Sequence, residues 1–367
     1  MALPLPEERN DGAPIHQKGE SVSSIGPKWP PVRASFERIK GIYTPGIINS
    51  LAHFEQDFFP CLSEYLESPL FGEKSPEGYT RISLRAIVSN DLVIDLPEKY
   101  RGFVEAIVPL TGTHQSFENS SIVYFGANHE SRLSDDHRLE QNWSNLMMAS
   151  KLEAKSPDAM MQKPFENGYE LDVVENTGDP DNFLVRQVFN LIKRFEYSVD
   201  DTRRILADPT FTLGIAKKNG EIVAVGLAET NEIEIGGETL ILVELTEAST
   251  HVDHLHKGLY SGIATTLLKH LSARSNEMGF NGREVDMIYG ESNGSAPGVL
   301  ITAARQGRTF STDVCRIFGY EGKGVLPLHV PILDPDEDSA GSEINRNNNL
   351  FPSFISRETL YNLYSIT

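Results

Sequence analysis

The sequence predicts an α+β protein in which a mixed sheet with flanking helices forms the C-terminal half and an α/β domain precedes it. The chain has 367 residues, a length that favours two domains at about 150 residues each. Its 39% hydrophobic and 23% charged residues are ordinary for a globular protein. From residue 168 onward, segments with a hydrophobic period of two alternate with segments of period 3.6, which predicts strands interspersed with helices.

The chain divides into four predicted segments. Residues 1–33 are rich in Pro, Gly, Ser and charge and are predicted to form a flexible leader. Residues 34–165 mix helical and strand signals without a chemical motif, and we predict an N-terminal α/β domain of unknown role and unassigned fold. Residues 168–332 form the second domain, and residues 333–367 are predicted to be an acidic linker and a short amphipathic tail.

The elements of the second domain follow one another in a definite order. A short strand is followed by two helices, the first opened by the capping segment Asp179-Pro180-Asp181. Three antiparallel strands come next, the first two joined by Asn219-Gly220, because both residues tolerate the positive φ of a tight hairpin turn. A helix follows, with Ile263, Leu267, Leu268 and Leu271 on one apolar face, and runs to about residue 276. The predicted order ends with a strand at 284–289, a helix that starts at Pro297, a short helix at 311–318 and an extended run at 324–332.

The charge and composition limit the classes of partner and compartment. The net charge of −19 repels phosphate backbones and anionic lipid, so neither nucleic acid nor a membrane is an expected partner, whereas a cationic amine is compatible. Cys61 and Cys315 are too few for a disulfide framework or a Cys-rich zinc site. Residues 1–29 lack the apolar segment of a signal peptide. We therefore expect a cytoplasmic protein. The sequence is compatible with a homodimer but does not determine the oligomeric state.

The most informative segment runs from Glu244 to Ala264, where a predicted strand passes through a glycine-bearing turn into a helix. Gly258 allows the backbone to approach a ligand closely. The first turn of the following helix offers N–H groups with a partial positive charge. Such a turn can hold a pyrophosphate with main-chain donors alone, although it is also common as a simple strand-to-helix connection.

This segment resembles the pyrophosphate-binding motif of the GNAT acyl-coenzyme A N-acyltransferases, whose fold has the element order given above. Within that superfamily it looks most like the beta-lysine N-acetyltransferase type. The matching residues are Glu244-Leu245-Thr246-Glu247, Lys257-Gly258-Leu259 and Ile317-Phe318-Gly319-Tyr320. The resemblance covers about residues 168–332 and implies a GNAT-like mixed sheet with acetyl-coenzyme A as co-substrate.

The resemblance also implies roles for individual residues. Backbone N–H groups around Thr246–Ala248 would receive the acyl carbonyl, and Glu244 or Glu247 would accept the amine proton, directly or through water. Glu244 is preferred because it shares a strand face with Thr246. The residues expected to contact the acyl donor are Thr246, Ala248, Lys257, Gly258, Leu259, Tyr260, Ser261, Gly262 and Asn293.

The chain departs from the superfamily pattern at two positions. Leu255 stands where an Arg or Gln is usual, three residues before Gly258. Cys315 stands where a Tyr often acts as the acid; a thiol can protonate a leaving thiolate, but a small apolar core residue is the more frequent role of such a Cys. The basic residues of segment 304–308 complement a helix dipole and could also reach the coenzyme's phosphate.

Three histidines within six residues suggest an alternative. His251, His254 and His256, with Asp253, are competent metal ligands, yet in extended backbone Asp253 would point away from His254 and His256, and we predict no metal. His251 could instead act as a base in a polar loop.

The sequence thus predicts an enzyme that moves an acetyl or other short acyl group from acyl-coenzyme A to a primary amine, by direct attack in a ternary complex. The acceptor would be a small cationic molecule, for instance a lysine-like amino acid. Two alternatives stay open: a catalytically inactive GNAT-like module that binds acyl-coenzyme A or a partner, and a metal-dependent enzyme using the His251, His254 and His256 cluster.

Overall fold

The computed structural model describes residues 21–22, 32–35, 38–73, 79–113, 115–129, 136–174, 178–193, 197–277, 285–331 and 345–364. Most of the predicted leader lies outside these ranges. The predicted α+β class is confirmed, because the chain forms two mixed sheets with flanking helices. Within these ranges no helix combines the length and the apolar character needed to cross a bilayer.

The first sheet contains six strands and is built from the N-terminal part of the chain. Its strands are β1 (Ser21–Val22), β2 (Val32–Ser35), β3 (Arg38–Ile48), β4 (Arg81–Ser89), β5 (Val104–Pro109) and β6 (Ser120–Asn128). They lie in the order β1-β2-β3-β4-β6-β5, with β3 and β4 parallel and the other pairs antiparallel. Helices α1 (Leu51–His53), α2 (Phe59–Glu67), α3 (Asn90–Asp95) and α4 (Glu98–Arg101) connect them.

The second sheet contains eight strands. They are β7 (Glu170–Val174), β8 (Phe211–Lys218), β9 (Glu221–Ile235), β10 (Glu238–Thr250), β11 (Met287–Asn293), β12 (Thr309–Phe310), β13 (Leu326–Pro331) and β14 (Asn345–Ser356). Their order is β12-β14-β11-β10-β9-β8-β7, and β13 also pairs with β14. The pair β10–β11 is parallel, whereas the other pairs are antiparallel.

Eight helices accompany this sheet in the described part of the chain. They are α5 (Asp136–Ala149), α6 (Pro157–Glu166), α7 (Asn182–Ile192), α8 (Val199–Ala207), α9 (Leu259–Glu277), α10 (Pro297–Arg305), α11 (Ser311–Ile317) and α12 (Arg357–Tyr364). Helix α9 contributes Ile263, Leu267 and Leu271 to the cluster that covers one face of the sheet. Helices α7 and α8 cover other residues of β8 and β9 in a separate cluster.

The predicted element order over residues 168–332 is confirmed where the structure describes it, apart from the two-residue strand β12, which the sequence did not predict. Helix α7 begins where the sequence predicts, because the Asp181 carboxylate accepts hydrogen bonds from the N–H groups of Phe183 and Leu184, both at 2.8 Å. The hairpin between β8 and β9 turns at Asn219 and Gly220, whose φ angles are 53° and 84°. Both are in the left-handed region that this turn requires.

The C-terminal residues differ from the prediction of a linker and a tail. Strand β14 pairs with β11 from Met287↔Ser356 to Asn293↔Leu350, and it also pairs with β12 and β13. Residues 345–356 therefore complete the second sheet, and α12 packs against α9. The sequence pattern does not predict this strand because its first five residues are polar. Residues 332–344 of the predicted linker lie outside the described ranges.

The two sheets share one hydrophobic cluster. The hairpin of β9 and β10 is longer than predicted and turns at Gly236 and Gly237, with φ angles of 60° and 90°. Ile235 and Leu240, near its tip, are buried together with apolar residues of β3 and β4. This arrangement brings β4 of the first sheet close to β10 and β11 of the second.

Candidate functional site

The parallel pair β10–β11 separates part-way along its length. The two strands are paired over three positions, Leu242↔Met287, Val243↔Ile288 and Glu244↔Tyr289. Beyond Glu244, β10 continues to Thr250 beside β9, and beyond Tyr289, β11 continues to Asn293 beside β14. The β10–β11 ladder therefore ends at Glu244 and Tyr289. The unpaired stretch between residues 245–250 and residues 290–293 is called here the β10–β11 opening.

Strand β10 carries a bulge at this opening. Its register with β9 shifts between Thr246, opposite Leu227, and Ser249, opposite Val225. Bulges redirect side chains and interrupt a ladder, and they are frequent beside active sites. The main chain at 246–248, expected to receive an acyl carbonyl, is thus irregular at the edge of the opening. The side chain of Glu247 lies outside the described part of the chain, and its role as a base remains a prediction.

Glu244 lies at the start of the opening within a polar chain that joins the two sheets. The Tyr289 hydroxyl donates a hydrogen bond to Glu244 Oε2 at 2.8 Å. Arg85 on β4 donates from Nη1 to the Tyr289 hydroxyl oxygen at 3.0 Å, and its guanidinium lies 5.8 Å from the centre of the Tyr124 ring. Burial, and then the charge of Glu244, hold the pKa of Tyr289 well above its ordinary value. The phenol therefore stays protonated at neutral pH and donates to Glu244.

The glycine-bearing turn precedes α9 as predicted. His256 and Gly258 have φ angles of 61° and 75°, and the Gly258 carbonyl accepts a hydrogen bond from the Gly262 N–H at 3.0 Å. A Cβ placed on Gly258 would lie 3.5 Å from Cδ of Lys163 on α6, an ordinary contact. The positive φ, rather than lack of space, favours glycine at position 258. The exposed Lys163 and Lys257 thus lie beside the N-terminus of α9.

Three residues of this turn that are predicted to bind the acyl donor contact other residues of the protein. Leu259 is buried in the hydrophobic cluster under α9. The Ser261 hydroxyl donates to the sulfur of Met160 on α6 at 3.7 Å. A Cβ on Gly262 would stand 2.9 Å from Cγ of Pro164, also on α6. The small residue at 262 is therefore explained by the close approach of α6, and the role of these three residues toward a ligand remains a prediction.

Tyr260, the second residue of α9, lies near a buried cation that the predicted site residues do not include. This cation is Arg308, which is 6% exposed. A Cβ on Gly290 would stand 2.9 Å from its Nη1 and 2.9 Å from the carbonyl oxygen of Leu245. Gly290 is the first residue of β11 beyond the last β10–β11 pair. The guanidinium therefore lies at the point where the strands separate.

Asn293, at the end of β11, has a local partner. Its side-chain oxygen accepts hydrogen bonds from the N–H of Ser295 at 2.9 Å and from the Ser295 hydroxyl at 2.8 Å. These bonds shape the turn that leads into α10, as expected for an Asn-Gly-Ser segment before a helix. Its proposed contact with an acyl donor remains a prediction.

Two histidines of the cluster contact other side chains of the protein. His254 Nδ1 lies 2.9 Å from the Tyr169 hydroxyl, and His251 Nδ1 lies 3.6 Å from Asp253 Oδ2. In the part of the chain that the structure describes, His, Cys, Asp and Glu side chains form no group of three or more that could hold a metal ion. The arrangement of these side chains gives the metal-dependent alternative no support.

Cys315 lies on α11 and has no exposed surface. Its sulfur is 3.7 Å from the Ser311 hydroxyl, which also bonds to the main chain of Ile107 on β5. Burial raises the pKa of the thiol to about 11. These are the surroundings of a core residue between the sheets, and a role as the acid rests on the resemblance alone.

The sequence interpretation missed two residues at this site, Arg85 and Tyr289. It named Arg308 only within segment 304–308, as a basic residue that could reach the coenzyme's phosphate. Tyr289 ends a strand that the sequence does predict, so pairing it with the strand of Glu244 could have indicated it. Arg85 lies in another sheet, about 160 residues from Glu244, and no local pattern relates the two.

Comparison with known proteins gives fold-level likenesses only. No family model matches the chain, and no curated protein matches it. Among solved structures, the ribosomal-protein-S18-alanine N-acetyltransferase from Escherichia coli is 10% identical, with a TM-score of 0.34 over 54% of this chain and 96% of that chain. Arabidopsis thaliana NAA60 in complex with acetyl-CoA is 10% identical, with a TM-score of 0.35 over 52% and 99%. An aminoglycoside acetyltransferase from an uncultured soil metagenomic sample, in complex with sisomicin, is 12% identical, with a TM-score of 0.28 over 36% and 82%.

These similar structures are N-acetyltransferases, and none is of the beta-lysine type. At 10–12% identity and TM-scores below 0.5, the proposals that follow depend on this chain's own residues.

Proposed function

We propose that the protein is an N-acyltransferase that transfers an acetyl or other short acyl group from acyl-coenzyme A to a primary amine. The observation that carries this proposal is the end of β10–β11 pairing at Glu244↔Tyr289 while both strands continue. An opening between two parallel strands provides a slot for an extended acyl-coenzyme A molecule. The N–H groups at the N-terminus of the neighbouring helix can donate hydrogen bonds to its phosphates.

Glu244 is proposed as the base. Its carboxylate takes the proton of the attacking amine, directly or through water, as the new N–C bond forms and the C–S bond of the thioester breaks. The coenzyme leaves as a thiolate and takes a proton from solvent. Tyr289 holds one carboxylate oxygen by a 2.8 Å hydrogen bond, which fixes the orientation of Glu244.

The main chain of β10 at the bulge is proposed to polarise the acyl carbonyl. Thr246 and Ala248 flank Glu247 where the regular β9–β10 register is lost. N–H groups at such a bulge can point away from the ladder and stabilise the negative charge that develops on the carbonyl oxygen. This segment begins two residues beyond Glu244, so the base and the carbonyl site share one edge of the opening.

The acceptor is proposed to be a small cationic amine, with a lysine-like amino acid as one candidate. The chain's net charge of −19 attracts cations over the whole surface. Close to the site, the carboxylates of Glu244 and Glu291 both act on Arg85. An amine that enters between the sheets would meet this acidic surface.

Calorimetric titration with acetyl-coenzyme A tests donor binding, and release of the free coenzyme thiol in the presence of diamines and basic amino acids tests transfer. We expect both signals from the wild type. Binding without thiol release from any amine would favour the inactive GNAT-like module instead. If acetyl-coenzyme A does not bind, both the N-acyltransferase and the inactive GNAT-like module are excluded. A chelator-sensitive activity would then favour the metal-dependent alternative.

A further inference from the structure

Arg308 is a buried cation, and no carboxylate in the part of the chain that the structure describes balances its charge. Its side chain is 94% shielded from solvent, and its Nε and Nη2 atoms are buried with no hydrogen-bond partner among the residues that the structure describes. It forms no ion pair with a carboxylate in those residues. Burial lowers the pKa of its guanidinium, and the groups that act against this decrease are the phenols of Tyr260 and Tyr364.

Such an arrangement is unfavourable in the absence of a ligand. Buried charges in proteins are nearly always paired, because removing an ion from water without a partner costs several kcal/mol. Unpaired donors on a buried guanidinium indicate that none of the described residues supplies its acceptor. A guanidinium matches phosphate in particular, since its planar donors can form two parallel hydrogen bonds to phosphate oxygens.

The position of Arg308 agrees with an anionic ligand in the opening. Its Nη1 lies next to Gly290, where β11 departs from β10, and its charge acts on Tyr260 in the first turn of α9. The guanidinium is thus between the opening and the positive end of the α9 dipole. Any side chain at position 290 would displace it, because a Cβ there would stand only 2.9 Å from Nη1.

We propose that Arg308 binds the diphosphate of the acyl-coenzyme A donor and replaces the side chain that is missing at Leu255. The inference rests on the proposed function and adds a side chain to it. The positive charge that binds the diphosphate together with the α9 turn is then that of Arg308. This residue lies after α10, across the opening, and not in the turn itself. Leu255 can then be apolar without loss of donor binding.

The test is calorimetric titration of the full chain with coenzyme A and, separately, with inorganic pyrophosphate. We expect Arg308→Met to weaken coenzyme A binding by about tenfold or more, as for loss of charge-assisted hydrogen bonds, and to abolish pyrophosphate binding. Arg308→Lys should bind with intermediate affinity, because it keeps the charge but loses the two-pronged geometry. Arg316→Gln, which removes a charge from the exposed surface of α11, is the matched control and should bind as the wild type does.

A second measurement separates binding from a structural role. Without ligand, Arg308→Met should melt at the same temperature as the wild type or higher, because methionine fills similar space without a buried charge. A lower melting temperature or failure to fold would show that Arg308 supports the fold, and would contradict the inference. Wild-type affinity in Arg308→Met would also contradict it, while leaving the proposed function intact. If the wild type does not bind coenzyme A, both the role of Arg308 and the proposed function are contradicted.

Discussion

Tyr289 and Glu244 face each other as the last pair of the parallel strands β10 and β11, and the phenol donates to the carboxylate at 2.8 Å. Behind the phenol lies Arg85 of the first sheet at 3.0 Å. The carboxylate proposed as the base is therefore oriented by a side chain of the neighbouring strand. That side chain in turn accepts a hydrogen bond from the first sheet. This relationship gives the N-terminal part of the chain a role in the site, namely to fix the partner of Glu244.

Replacement of Glu244 by Gln should lower the rate of acyl transfer while leaving donor binding unchanged. The amide keeps the size of the side chain but cannot accept the amine proton, and general bases contribute on the order of 10²-fold or more. Steady-state thiol release measures the rate, and calorimetry with acetyl-coenzyme A measures binding. Glu221→Gln, on the exposed start of β9, is the control. An unchanged rate in Glu244→Gln would transfer the role to Glu247.

Replacement of Tyr289 by Phe should destabilise the protein and reduce activity together. It removes the donor to Glu244 and the acceptor for Arg85, and a buried polar group left without its partner costs about 1–3 kcal/mol. Denaturant unfolding measures the first effect, and thiol release measures the second.

A double-mutant cycle with Glu244→Gln tests whether these two residues act as one unit. The rate effects of Tyr289→Phe and Glu244→Gln should then be less than additive. Fully additive effects would show that the 2.8 Å contact has no role in catalysis.

Replacement of Gly262 by Ala should lower the free energy of unfolding by about 1–3 kcal/mol, the usual cost of overpacking. The new Cβ would stand 2.8 Å from Cδ1 of Leu171 and 2.9 Å from Cγ of Pro164. Gly298→Ala in α10 is the matched control, since nothing lies within 4 Å of its Cβ position, and it should leave the protein equally or more stable. Equal stability of the two variants would mean that α6 does not pack on α9 as described.

Replacement of Cys315 by Ala should reduce stability below pH 9 and have less effect above it. The pKa of the thiol is raised from 9.0 to about 11 in the folded chain. Between these values the unfolded chain ionises while the folded chain remains neutral. The stabilisation is therefore complete below pH 9 and is lost as the pH rises toward 11, by about 3 kcal/mol in total.

Denaturant unfolding of the wild type and Cys315→Ala at pH 7, 9 and 10.5 measures this difference, which should shrink with pH. Transfer activity at pH 7 should persist in Cys315→Ala, because the thiol is fully buried. Loss of activity in a variant that remains folded would instead support Cys315 as the acid.

Local sequence patterns predicted the parts of the fold that local chemistry specifies. The Asp181 cap, the Asn219-Gly220 turn and the apolar face of α9 with Ile263 and Leu267 all depend on residues within a few positions of one another, and all are confirmed. Strand β14 was missed because its polar first half has no strand-like period, and pairing with β11 rather than propensity specifies it.

The amino-acid order alone determined the α+β class, the order of most elements in the second domain, and the glycine-bearing turn before α9, since each follows from periodicity or from the conformational freedom of a single residue. Only the tertiary structure placed Arg85 behind Tyr289 and Glu244, opened β10 from β11, and buried Arg308 beside Gly290. These contacts join residues about 20 to 200 positions apart, and their geometry depends on how two sheets pack, which no local pattern encodes.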